Sequence, residues 1–224
     1  MRRSITALAV ALMVVLALPA AATDTKGSGD AGEVVIADRA SGTISVIDAG
    51  TDQLITTVPL PAGDNSPEPM YVSYVKRSNQ LFVGDRANNR VVVFDAVDYS
   101  VTATIAAGSG VFHQWADPRG QQLWVNNDID NTATVIDPTT LSVLGTVSMP
   151  ADLVAAGFKP HDVILDPKGR FAFVTLVGGV DNDWLVKFDT TTFMEVDRAE
   201  VGLDPHVSLS QRSELIYVPA QNSN

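Results

Sequence analysis

The chain has 224 residues, 46% of them hydrophobic and 18% charged, which excludes a disordered chain and fits one large folded domain or two small ones. Its formal net charge of −11 opposes approach to nucleic acid and anionic lipid, so neither is an expected partner. It has no cysteine, which excludes disulfides, thiolate metal sites, a thiol nucleophile and a Cys-x-x-Cys-His segment for covalent haem attachment.

Residues 1–22 read as a secretory signal peptide. Arg2 and Arg3 precede an apolar run of about 14 residues, Ile5 to Leu18, and Ala20-Ala21-Ala22 offers a small-residue cleavage site. The run is shorter than the ~20 apolar residues of a membrane-spanning helix. The expectation is export to the periplasm, the cell surface or the medium, with no stable membrane span after cleavage; a retained N-terminal anchor is the rival reading. Loss of two arginines and no acid would take the formal charge from −11 to −13. Residues 23–32 are small and polar and read as a flexible lead-in.

From residue 33 onward the chain repeats itself. Val35-Ile36-Ala37-Asp38-Arg39 leads to Thr43-Ile44-Ser45-Val46-Ile47-Asp48, and Phe82-Val83-Gly84-Asp85-Arg86 leads to Arg90-Val91-Val92-Val93-Phe94-Asp95. A third copy ends Ala133-Thr134-Val135-Ile136-Asp137 and a fourth ends Leu185-Val186-Lys187-Phe188-Asp189. Each unit reads as four short strands parted by Gly, Pro, Asn and Asp turns, and no stretch sustains a helical period. A four-stranded sheet apolar on both faces needs a neighbour on each side, and a ring of such sheets supplies them.

Pro160-His161-Asp162-Val163, Asp166-Pro167-Lys168-Gly169, Leu123-Trp124-Val125-Asn126-Asn127 and Thr134-Val135-Ile136-Asp137 carry a resemblance to the YVTN family of β-propeller repeats, over about residues 33–224. The resemblance implies an all-β propeller of four-stranded antiparallel blades. The pattern opens on a second strand, Val34–Asp38, and closes on a first strand, His206–Leu209, and a second, Leu215–Val218. The expectation is therefore an incomplete ring, about four and a half blades of a seven-bladed whole, truncated within its fifth unit.

Several repeated residues invite a chemical reading. Asp48, Asp95, Asp137 and Asp189 each end a third strand before a turn, so backbone capping accounts for them better than a carboxylate ring. Asp38-Arg39 and Asp85-Arg86 occupy matching places and suggest pairing between blades or a solvated turn, with ligand binding at a blade surface as the rival reading. The acidic loops Asn126–Asn131 and Asp181–Asp183 offer oxygens for calcium but lack the spacing of a helix–loop–helix calcium site, which leaves polar turns. Trp124 falls at a core position, Trp184 is a candidate ligand platform, and Trp115 follows closely on His113. The three histidines of the chain, His113, His161 and His206, all fall at the start of an inner strand, 48 and 45 residues apart. Near Met70-Tyr71 the first complete unit has the equivalent place. Inner strands line the axis of a propeller, so the three imidazoles are expected on one axial rim, as candidate metal ligands or as repeat residues bonded to neighbouring blades.

The functional readings stay open. The first is a non-enzymatic binding or interaction module of the cell envelope or secreted space, with an unidentified protein or small-molecule partner. The second follows from the resemblance of such repeats to the propellers of cytochrome d1-type nitrite reductases and nitrous oxide reductase: a redox propeller holding a metal ion or haem through axial histidines. The third is a lactonase-like hydrolase on a related propeller. No nucleophile–His–acid set stands out, so no catalytic residue is assigned.

Overall fold

In a computed structural model, which describes residues 32–210 and 215–223, each repeat unit is an antiparallel meander. The signal peptide expected over residues 1–22, and all of the lead-in but Gly32, lie outside the described residues. β1 (Glu33–Asp38), β2 (Thr43–Asp48) and β3 (Gln53–Pro59) form a three-stranded sheet. Three four-stranded sheets follow. They comprise β4 (Pro69–Val75), β5 (Gln80–Asp85), β6 (Arg90–Asp95) and β7 (Val101–Ala106); β8 (Val111–Ala116), β9 (Leu123–Asn127), β10 (Thr132–Asp137) and β11 (Ser142–Ser148); and β12 (Lys159–Leu165), β13 (Phe171–Val177), β14 (Asp183–Asp189) and β15 (Glu195–Val201). β16 (Ser208–Leu209) and β17 (Ile216–Tyr217) form a further pair.

These sheets are the blades of a propeller. β8 lies between β4 and β12, so the first strands of successive four-stranded sheets stand side by side. β1 meets β4 as β5 meets β8 and β9 meets β12, which makes β1 a second strand, as its sequence pattern indicated. The single α-helix among the described residues, α1 (Ala151–Ala155), links β11 to β12 and was not foreshadowed by any periodicity. At five residues it is a local device: Leu153 drops into the core, and Asp152 pairs with Arg198 at 2.9 Å.

Strand alternation divides each blade between two cores. In β6, Val92 and Phe94 face the three-stranded sheet with Ile44 and Val46, whereas Val91 and Val93 face the next blade with Val111, Leu123 and Val125. In the second four-stranded sheet, Trp124, Ala133 and Val135 turn toward Val163, Val174 and Phe188 of the third. Full burial of residues such as Trp124, Phe82 and Phe188 contributes about 1.5–3 kcal/mol per side chain. An exposed ion pair such as Arg39–Glu68, at 3.2 Å between blades, contributes about 0–1 kcal/mol. Apolar interfaces between blades therefore dominate cohesion.

The four repeated aspartates end their strands as backbone acceptors. Oδ1 of Asp48, Asp95, Asp137 and Asp189 accepts the N–H groups two and three residues on, at 2.7–3.4 Å. Each aspartate's carbonyl oxygen accepts the N–H of the fourth residue, Asp52, Tyr99, Leu141 or Phe193, and each of those takes a left-handed φ. At Asp137 burial raises the carboxyl pKa, but the N–H groups of Thr139 and Thr140 outweigh it and hold it below the usual range.

Asp137→Ala should cost about 1 kcal/mol near neutral pH, in the manner of a lost helix cap. Because the folded pKa is depressed, the charge-dependent part of that cost is present above the unfolded value of 3.8 and disappears as the pH falls through the lower folded value; denaturant melts at pH 7 and pH 3 would show it. Gly84 sits where a Cβ would come within 2.7 Å of Val111 Cγ1 in the next blade. Gly84→Ala should lower stability by about 1–3 kcal/mol through overpacking, measured as a shift in the urea midpoint.

Candidate functional site

The inner strand of each four-stranded sheet breaks register with its neighbour at the same place. Two residues oppose one between Pro69 and Val72 on β4, between Val111 and Gln114 on β8, and between Pro160 and Val163 on β12. Such a bulge bends the strand and re-aims its side chains. Proline suits the entry to it, having no N–H to leave unpaired. Met70, Phe112 and His161 hold the first bulge place; Tyr71, His113 and Asp162 hold the second.

Buried amide side chains from neighbouring strands lock the bulges. Gln114 Nε2 donates to the carbonyl oxygens of Tyr71 (3.2 Å) and Phe82 (2.6 Å). Asn126 Nδ2 donates to those of His161 (3.0 Å) and Asp162 (3.2 Å). The N–H of Asp162 donates to Thr175 Oγ1 at 2.9 Å.

The second bulge places form one hydrogen-bonded chain across three blades. Tyr71 Oη lies 2.6 Å from His113 Nε2, and His113 Nδ1 lies 3.0 Å from Asp162 Oδ1. Asp162 Oδ2 accepts the N–H of Val207 at 3.1 Å and stands 3.6 Å from His206 Nδ1. Burial raises the Asp162 pKa, but the hydrogen bond from His113 and the N–H groups of Val207 and Val163 hold it below the usual range. Its charge requires a proton on His113 Nδ1. Burial and the Asp162 charge raise the Tyr71 pKa, so its hydroxyl keeps its proton and donates to Nε2. Both nitrogens of His113 are thereby engaged.

The other two imidazoles are less satisfied. His161 packs 5.4 Å from Phe112 and 5.0 Å from His206 between ring centroids, and its Nδ1 is sealed from solvent with no hydrogen-bond partner. An orphaned buried polar atom costs about 1–3 kcal/mol. Burial lowers the His161 pKa, and the neighbouring His113 and His206 lower it further, partly offset by Asp162 and Asp204. Asp204 completes the group: its ligand oxygen and one nitrogen each of His161 and His206 lie within 4.8 Å of one another. Asp204 is pinned in the left-handed region at φ 55° by donating its N–H to Asp183 Oδ2 at 2.7 Å.

The structure thus brings His113, His161 and His206 together, with centroids 4.8–6.1 Å apart. Their places are not equivalent, however: His113 occupies the second bulge place and His161 the first, a one-residue offset that spacing alone does not reveal. Tyr71 stood near the equivalent place noted in the sequence. Asp162 and Asp204 were missed, although one follows His161 directly and the other precedes Pro205-His206.

The remaining candidates lie elsewhere. Arg86 pairs with Asp128 of the next blade at 2.9 Å, and Asp85 with Arg90 at 2.8 Å. The acidic loops bind their own surroundings: Asp130 takes the N–H of Ser109, and Asp183 those of Gly178 and Gly179. Trp124 is core, Trp184 carries the Arg198 guanidinium at 5.4 Å, and Trp115 is 44% exposed opposite Trp124. A surface depression of about 520 Å³ lined by Gly108, Asp130, Thr132 and Thr134 contains no imidazole and offers no comparable chemistry.

No family model matches the chain, and no curated protein matches it. Solved structures do. Hydrazine synthase of Kuenenia stuttgartiensis aligns over 83% of this chain and 51% of its own, at 17% identity and a TM-score of 0.73. Two candidate 6-phosphogluconolactonases, from Bacteroides fragilis and Bacteroides uniformis, align over 87% and 88% of this chain and 62% and 63% of theirs, at 17% and 16% identity, with TM-scores of 0.67 and 0.69. The chain therefore spans about half to two thirds of the length of these neighbours. At such identity they show the propeller fold alone.

In chelator-treated protein, labelled-histidine NMR should find His161 titrating below the ordinary value of 6.5. With a folded pKa beneath the unfolded one, the protein loses stability as the pH falls from 6.5 toward the folded value and levels off below it. His161→Gln should flatten that part of the stability profile.

Proposed function

We propose that this chain is part of an exported β-propeller acting as a binding module, and that it holds its ligand at the axial end of its inner strands. One observation carries the reading: all three histidines of the protein meet in a single cluster, His113 and His161 presented by bulges that recur in three successive blades and His206 by the segment leading into β16. A fold maintained for packing alone has no use for a sealed imidazole nitrogen or for carboxylates turned into an axial site. Imidazoles this tightly packed suit an ion or a small polar ligand better than a haem, which needs an open slot in front of the ligating nitrogen wide enough for the porphyrin plane.

The lactonase-like reading draws less support. His113 is spoken for on both nitrogens by Tyr71 and Asp162, which leaves it a poor general base. A phosphorylated sugar would need a free cation, and the guanidinium at this rim, Arg86 over the Phe112 ring at 5.6 Å, is already paired with Asp128.

Native mass spectrometry of the protein recovered from its own host tests the reading. Wild-type protein should carry an added mass that His161→Ala and His206→Ala both lose while keeping the wild-type circular dichroism spectrum. The same bare mass for all three, or an added mass that survives in both variants, would overturn it.

A further inference from the structure

We propose that His161, His206 and Asp204 bind a divalent transition-metal ion, and that Tyr71, His113 and Asp162 form a hydrogen-bonded chain that positions those ligands. This rests on the reading of the axial cluster as the binding centre and gives that centre a ligand class.

The donor atoms of His161, His206 and Asp204 lie within 4.8 Å of one another. Metal bonds of about 2.0–2.2 Å put tetrahedral ligand atoms about 3.4 Å apart, so side-chain tips need to close by roughly an ångström. The sealed Nδ1 of His161 has no other partner. Asp204 is held beside His206 by its own backbone, with its N–H on Asp183 Oδ2, and its Oδ2 takes a hydrogen bond from Asn222 Nδ2 at 3.3 Å. None of these contacts saturates the carboxylate.

Asp162 supplies what lies behind the ligands. Its Oδ2 faces His206 Nδ1 at 3.6 Å, which leaves Nε2 of that ring as the metal-facing nitrogen, the carboxylate–histidine arrangement common behind bound metals. Its Oδ1 is held by His113, and His113 in turn by Tyr71. With both nitrogens occupied, His113 is a positioning residue and not a ligand, although sequence spacing groups it with the other two histidines. Two imidazoles and a carboxylate, with no thiolate in the protein, favour a borderline ion such as Zn²⁺ or Co²⁺ over Ca²⁺, Mg²⁺ or Cu⁺. Three protein ligands leave at least one position open to water or an external group.

The full chain, stripped of metal with a chelator, is titrated with Co²⁺ and followed by visible absorption and by the hyperfine-shifted imidazole N–H signals in the proton NMR spectrum. One equivalent should bind and produce two such signals. His161→Ala and His206→Ala should each remove one signal and most of the affinity. Asp204→Asn, which keeps shape and tolerates the same backbone, should weaken binding with folding intact. His113→Gln should weaken binding by about 10–100-fold yet keep both signals. The proposal is overturned by a wild-type protein that binds neither Co²⁺ nor Zn²⁺ saturably. It is equally overturned by unchanged affinity in Asp204→Asn, or by a signal lost from a folded His113→Gln. If Co²⁺ fails to bind while the recovered protein carries an organic mass dependent on His161, the metal assignment falls and the binding centre stands.

Discussion

A β-sheet with apolar side chains on both faces is unstable alone in water, and the organisation of this chain follows from that constraint. Because side chains alternate along a strand, each blade divides its apolar residues between two neighbours, as Val91 and Val93 part from Val92 and Phe94 on β6. Burial is collective, and no blade interface closes without residues from two repeats. The short period of the sequence is the linear trace of this requirement.

Radial stacking has a geometric consequence at the axis. The inner strands β4, β8 and β12 come side by side, and a bulge at the same place in each turns two side chains out of the ladder. A bulge frees backbone carbonyl oxygens in a place where water is scarce. Gln114 and Asn126 satisfy them from adjacent strands, so the cost of the irregularity is met by buried amides instead of solvent. The bulges are thus rigid, and the side chains they present are held by the same packing that stabilises the blades. Tyr71, His113 and Asp162 come from three different blades yet form one hydrogen-bonded chain, because equivalent positions of adjacent blades are neighbours in space.

The acidity of the protein and its axial site are separate matters. Many carboxylates are consumed locally, among them those of the turn caps after β2, β6, β10 and β14 and of pairs between blades such as Arg86–Asp128. Asp162 and Asp204 differ in being aimed at imidazoles.

The amino-acid sequence by itself determined the repeat, the four-strand unit and the turn role of Asp48, Asp95, Asp137 and Asp189, because these depend on alternation, turn chemistry and spacing within about 50 residues. It also indicated that the three histidines share the axial end of inner strands. Only the tertiary structure decided what each of them does. A one-residue bulge offset separates His113 from His161, and period-two side-chain alternation makes one residue the difference between two rows of contacts. Asp162 and Asp204 stayed hidden because they reach partners in other blades, 49 residues away for Asp162 to His113 and 43 for Asp204 to His161, and no local pattern records a contact made across the axis. The helix α1 was hidden because five residues are too few to show a period, and only the apolar core between the last two four-stranded sheets gave Leu153 a reason to turn inward.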